Sequence, residues 1–255
     1  MKNWHLFSRK TKNVEEKWNV KTMFGANLGF AAAEAYKVLR TNLKFSFPDD
    51  GQGKIIGFTS AVQSEGKSTT ACNVAYALAE EQDKVLLVEA DLRRPTVASK
   101  LAIARRPGLT NILVNREPME DVVQRSSYAP NVDIICCGDV PPNPSELLGS
   151  EQMTQLLDEL RKKYRFILVD LPPVTVVSDA LAISKNLDGV VVVVREDVSD
   201  RKQLNEAMRQ LHMAGVRILG FAYRSAEDSN KRYSYKKYKR YGYGYGYYSE
   251  YKSKN

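Results

Sequence analysis

The stretch KIIGFTSAVQSEGKSTTACNVA (residues 54–75) decides the architecture. KIIGFTS (54–60) is short, apolar and unbroken, which suits a strand buried on both faces. STTACNVAYALAEE (68–81) then reads as a helix. Between them, AVQSEGKS (61–68) satisfies A-x-x-x-x-G-K-S, a phosphate-loop pattern with alanine in the first glycine position. A strand, a tight turn and a helix in that order aim free backbone N–H groups and a helix N-terminus at one anion. Ser64, Glu65, Gly66, Lys67, Ser68 and Thr69 are the expected lining of this cradle. Lys67 would reach the β- and γ-phosphates, and the Ser68 hydroxyl would bind Mg2+.

Outward from the loop the alternation continues. KVLLVEA (84–90), VDIIC (132–136), RFILVD (165–170), DGVVVVVR (188–195) and VRILGFAY (216–223) read as further strands. Helical spacing recurs over 31–43, where Ala32, Ala35, Leu39 and Leu43 share a face, and over 150–164 and 199–212. Unbroken apolar strands between helices imply a doubly wound, mostly parallel α/β sheet covered on both sides. In such a sheet ligands bind where the strands end. Two strands end in acids there: FILVDLPP (166–173) in Asp170, placed as a Walker B aspartate, and VLLVEADLRRP (85–95) in Glu89 and Asp91. Mg2+ takes one or two carboxylates beside phosphate oxygens and water, which leaves one acid as a proton acceptor.

The 255-residue chain carries a net charge of +8, unevenly placed. Residues 231–255 hold eight Lys/Arg and one acid, so the tail accounts for +7 and the body for +1. A nearly neutral body offers no nucleic-acid surface. Nine of the fourteen tyrosines lie in the tail: Tyr233, Tyr235, Tyr238, Tyr241, Tyr243, Tyr245, Tyr247, Tyr248 and Tyr251. Its Lys, Arg, Tyr and Gly cannot bury enough surface to order themselves, so residues 229–255 are expected to be a disordered tail. Residues 1–22, polar and without period, read as an arm, and 23–228 as one domain. No stretch reaches the ~18 apolar residues of a membrane span, and the N-terminus lacks the apolar core of a signal peptide. Cys72, Cys136 and Cys137 suggest neither a disulfide framework nor a metal site, and a cytoplasmic location fits. His5 and His212 are not expected to be catalytic.

A tyrosine hydroxyl, with a pKa near 10, is protonated at pH 7. Its attack on a γ-phosphoryl group needs a proton acceptor, alignment and charge stabilisation. The body supplies these and the tail supplies the nucleophile, which reads as ATP- and Mg2+-dependent tyrosine autophosphorylation.

The phosphate loop, the RRP-bearing acidic strand, GDVPPNPSELL (138–148), FILVDLPPV and the tyrosine cluster together resemble the bacterial tyrosine kinases (BY-kinases) of capsule and exopolysaccharide synthesis. The resemblance spans about residues 31–251. It implies a P-loop NTPase fold of the MinD/ParA-like, deviant Walker A type. It also implies that Glu89 acts on the incoming tyrosine while Asp91 and Asp170 assist Mg2+. Arg93 or Arg94 would contact the transferred phosphate. EAYKVLR (34–40) resembles a subunit-contact motif, placing Glu34, Lys37 and Arg40 at the interface of a ring-shaped homo-oligomer. The implied partners are a membrane-embedded adaptor of the chain-length-determinant type, holding the kinase at the inner face of the plasma membrane, and a cognate tyrosine phosphatase. Glu89 stands where the family has aspartate, Lys37 replaces an arginine, and Arg224 stands where an asparagine often contacts the base. Two other readings exist. One is an ATPase assembly switch, although Val62 stands where such proteins carry a second lysine. The other is a basic aromatic tail that binds single-stranded nucleic acid by stacking or rests on anionic lipid.

Overall fold

The structure, a computed structural model, describes residues 24–127 and 129–225. The arm (1–22) and the tyrosine tail (229–255) lie outside the described residues. The strands are β1 (Lys54–Ser60), β2 (Val85–Glu89), β3 (Gln124–Arg125), β4 (Val132–Ile135), β5 (Phe166–Asp170), β6 (Gly189–Arg195) and β7 (Ile218–Arg224). They form one seven-stranded sheet in the order β3-β4-β2-β5-β1-β6-β7. All pairings are parallel except β3–β4. The α-helices are α1 (Phe30–Phe45), α2 (Lys67–Ala79), α3 (Val97–Leu101), α4 (Leu109–Asn115), α5 (Met119–Val122), α6 (Pro144–Leu148), α7 (Glu151–Arg161), α8 (Asp179–Ala182) and α9 (Arg201–Met213).

Strand alternation divides the core between the two faces of the sheet. Ile55, Leu86, Val88, Ile167, Val169, Val190 and Val192 pack with Leu156, Leu157 and Leu160 of α7 and Ala207 and Leu211 of α9. Ile56, Phe58, Leu87, Leu168, Val191 and Val193 pack with Val74, Ala75 and Leu78 of α2 and Leu43 of α1. Each such aliphatic or aromatic side chain stabilises the fold by about 1.5–3 kcal/mol, so double coverage is the main source of order. The Ser150 hydroxyl caps α7 by accepting from Met153 N at 3.2 Å, and Asp200 caps α9 by accepting from Lys202 N at 3.3 Å. His212 lies in the last turn of α9.

The expected doubly wound, mostly parallel sheet is present. β7 differs from its expected double burial because the sheet ends there, leaving Phe221 52% and Tyr223 63% exposed. The three cysteines are free and buried. Among the described residues no helix is long and apolar enough to cross a membrane.

The register positions the acids. Asp170 pairs with Phe58 of β1 on one side and with Glu89 of β2 on the other. Two acids therefore finish adjacent strands at the same level, beside the strand that feeds the phosphate loop.

Candidate active site

The loop between β1 and α2 turns through two left-handed residues, Ser64 (φ 66°) and Gly66 (φ 91°). At Gly66 a Cβ would lie 1.5 Å from Arg224 Nη1. The arginine can swing away, but the left-handed backbone would remain costly for an L residue, by about 1–2 kcal/mol. Gly66→Ala is therefore expected to lower the melting temperature by about 2–8 °C, read by calorimetry without ligand.

Glu65 belongs to the expected backbone cradle, and its side chain turns inward and is fully buried. Its carboxylate accepts from Val62 N at 2.8 Å and from the Ser199 hydroxyl, while Ser199 Oγ accepts from Arg195 N at 2.8 Å. Glu65 thus braces the loop against the segment after β6.

Lys67 opens α2 and is buried with two acids. Its Nζ lies 2.6 Å from Asp91 Oδ2 and 3.5 Å from Asp170 Oδ1. Burial pulls its pKa down, but the charges of Asp170 and Asp91 overcome this and leave it raised. Burial raises Asp170, and the positive charge of Lys67 and a hydrogen bond from Ser68 only partly offset that. Ser68 Oγ accepts from the Thr96 hydroxyl at 3.2 Å, and Thr69 is buried in the same turn. Asp91 Oδ1 accepts from Arg94 N at 3.0 Å. The fold therefore brings together Lys67, Ser68, Asp91 and Asp170.

Glu89 is placed differently. Its Oε1 accepts from Thr96 N and Val97 N, both at 2.5 Å, and its Oε2 accepts from Cys137 N at 3.0 Å. The side chain is fully buried, and burial raises its pKa against the pull of those amides. The expectation that Glu89 handles the phenol is revised on this geometry: the carboxylate ties the start of α3 to the end of β4 and presents no surface to a substrate. Arg93 is likewise committed, to buried Asp179 through Nε at 2.8 Å and Nη2 at 3.1 Å. Arg94 reaches back to the loop, with Nη1 on Gln63 Oε1 at 2.8 Å. Lys67, Asp91 and Asp170 were findable because Asp170 ends β5, Asp91 follows β2, and Lys67 opens the helix that the loop after β1 leads into, all on one edge of the sheet; no local signal showed that Glu65 and Glu89 point into the protein.

The residues fit a nucleotide-bound Mg2+ rather than an all-protein metal cage. Asp170 Oδ2 is buried and has no hydrogen-bond partner among the described residues, an acceptor that a cation would satisfy. Among the described residues no group of three or more His, Cys, Asp and Glu could hold a metal.

A family model described as an AAA domain matches residues 53–212. The tyrosine-protein kinase YwqD of Bacillus subtilis is 38% identical over 188 residues, covering 74% of this chain and 78% of YwqD. The chain belongs to the bacterial tyrosine-protein kinase family. The solved kinase domain of the Escherichia coli tyrosine kinase ETK superposes on this family member with a TM-score of 0.73 at 31% identity, covering 84% of this chain and 80% of the other. The septum site-determining protein MinD from Pyrococcus horikoshii, solved with Mg-ADP, superposes with a TM-score of 0.56 at 26% identity, covering 66% and 69%. The fold is thus that of the P-loop ATPases, which implies nucleotide binding. Among relatives of this bacterial tyrosine kinase, the chain spans only 28% of EpsB from Ralstonia solanacearum and 29% of etk from Escherichia coli K12.

EAYKVLR (34–40), expected to form a subunit contact, lies on α1 with mixed placement. Glu34 and Lys37 pair at 2.8 Å and stay 46% and 42% exposed. Arg40 is only 13% exposed and folds back onto α2, donating to Ala77 O at 2.9 Å and pairing with Glu81 at 2.9 Å. The nine tail tyrosines expected to accept phosphate (residues 233–251) lie outside the described residues.

Proposed function

We propose that this chain is an ATP-dependent protein-tyrosine autokinase that modifies its own terminal tyrosine cluster. The observation that carries the reading is Lys67 clasped between Asp91 and Asp170 at the mouth of the phosphate loop. Loop amides and Lys67 bind the phosphates of ATP, drawing the lysine away from the two acids. Asp170 and Ser68 would hold Mg2+, with Asp91 beside them; when bound, the metal supplies positive charge against the transferring phosphoryl group. Asp91, released by Lys67, accepts the phenolic proton. The tyrosine oxygen forms a bond to the γ-phosphorus as the bond from that phosphorus to the bridging oxygen breaks, and ADP departs with the electron pair. Each phosphotyrosine brings about −1.5 to −2 of charge, so full modification reverses the +7 of the tail.

The wider role proposed is regulation of capsular or exopolysaccharide polymerisation or export. It rests on the motif resemblance and on family membership. The partners proposed are a membrane-embedded adaptor, which places the kinase at the inner membrane face, a cognate phosphatase and further copies of the chain in a ring. The outer surface of α1, with Glu34, Lys37 and exposed Phe30, Val38 and Phe45, suits a subunit contact.

The test is to incubate the full chain with MgATP, alone and with candidate adaptor peptides, and to map phosphotyrosine by mass spectrometry. Label is expected on the tyrosines between Tyr233 and Tyr251. ATP consumption with every tyrosine unmodified would replace this reading with a nucleotide-driven assembly switch, the alternative that the likeness to MinD favours.

A further inference from the structure

Three arginines from three different strand ends lay their guanidinium groups against the phosphate loop. Arg94, beyond β2, meets Gln63 Oε1 at 2.8 Å. Arg195, ending β6, approaches Ser64 O at 3.5 Å, but its charge is matched by Asp197, 2.8 Å away. Arg224, ending β7, lies on Gly66, with Nη1 1.5 Å from where a Cβ would project. It forms no ion pair with the described residues. Below the loop, Lys67 is outnumbered by Asp91 and Asp170, so the clasp carries one net negative charge. A polyphosphate entering this loop meets repulsion from beneath, and the arginines above supply the opposing charge. Arg224 is the one in contact with the glycine that immediately precedes Lys67.

We propose that Arg224 is a nucleotide-binding residue of this chain, turning its guanidinium from Gly66 onto the phosphates held by the loop. This rests on the reading of the loop as a nucleotide site and adds a second mobile cation to Lys67. The division of labour follows from the environments. Lys67 must first leave two carboxylates, whereas Arg224 has no carboxylate to leave among the described residues. A guanidinium can also grip two phosphate oxygens at once, which an ammonium cannot.

Calorimetric titration of the full chain with ADP and Mg2+ tests the proposal, using wild type, Arg224→Ala and Arg224→Lys at low and high salt. Loss of a charge-assisted contact is expected to weaken ADP binding about ten- to a hundredfold in Arg224→Ala. Arg224→Lys should recover part of the loss, and the loss should shrink at high salt, because an exposed charge is screened. Melting temperatures without nucleotide should match among the three proteins. Unchanged ADP affinity in Arg224→Ala overturns the proposal. So does a loss equal at both salt concentrations, which would mean an uncharged contact with base or ribose, and so does a loss accompanied by a fall in ligand-free melting temperature that Arg224→Lys does not repair. If wild type fails to bind ADP, the nucleotide reading falls and this inference falls with it. If wild type binds ADP and labels its tyrosines while Arg224→Ala binds equally well, only the inference falls.

Discussion

Lys67→Met is expected to cut phosphotyrosine formation by about 10²–10³-fold or more, the scale seen when one preorganised charge-stabilising donor is removed. The same substitution should destabilise the ligand-free chain, because Asp91 and Asp170 lose the cation between them. Breaking a buried pair from one side costs about 3–5 kcal/mol, equivalent here to a melting-temperature fall of roughly 6–20 °C. The pH dependence identifies the cause. Burial already raises Asp170 above its ordinary value of 3.8, and Lys67 opposes that rise. Without the lysine the folded-state pKa climbs further. For an acid raised on folding, the stability gained from protonation is complete below the unfolded pKa and is lost as pH rises through the folded one. The deficit of Lys67→Met relative to wild type should therefore be largest at pH 7 and shrink as pH falls toward 4. A deficit constant across that range would mean that stranded carboxylates are not its source.

Glu89→Gln is expected to separate a brace from a base. Its amide nitrogen would face one of the backbone donors that the carboxylate now satisfies at Thr96, Val97 or Cys137. An unsatisfied buried group costs about 1–3 kcal/mol, so melting should fall by about 2–12 °C. Phosphorylation per folded molecule should stay within about tenfold of wild type. A general base contributes about 10²–10⁴-fold, and that is the loss expected of Asp91→Asn. If Glu89→Gln melts like wild type but loses activity on that scale, Glu89 is the proton acceptor after all and the geometry has been misread.

The sheet could be read from the chain because its strands announce themselves: GVVVVVR has no plausible home except between two covered faces. The short elements gave no such sign. α3, α5, α6 and α8 have four or five residues each, too few for a helical period, and are held by what surrounds them. β3, two residues long, exists only because β4 offers it an edge. At the site, strand ends in a parallel sheet share one side, so the convergence of Lys67, Asp91 and Asp170 followed from topology alone. Whether an acid at such an end faces ligand or backbone depends on where the next loop carries its amides. Thr96 and Val97 curl back over Glu89, and no spacing rule announces it. Arg40 shows the same limit: its place on α1 was readable, its turn toward Glu81 was not.

The inward-facing Glu65 bears on how the energy of ligand capture is divided. Fixing one residue of a floppy loop takes about 1–2 kcal/mol of conformational entropy, and a cradle that ordered only around its guest would subtract that from affinity residue by residue. Here Val62 N and the Ser199 hydroxyl hold the turn through one hidden carboxylate before any guest arrives. The entropic loss is taken when the protein folds, so the grip on phosphate is set by charge and hydrogen bonding rather than by the loop having to find its shape.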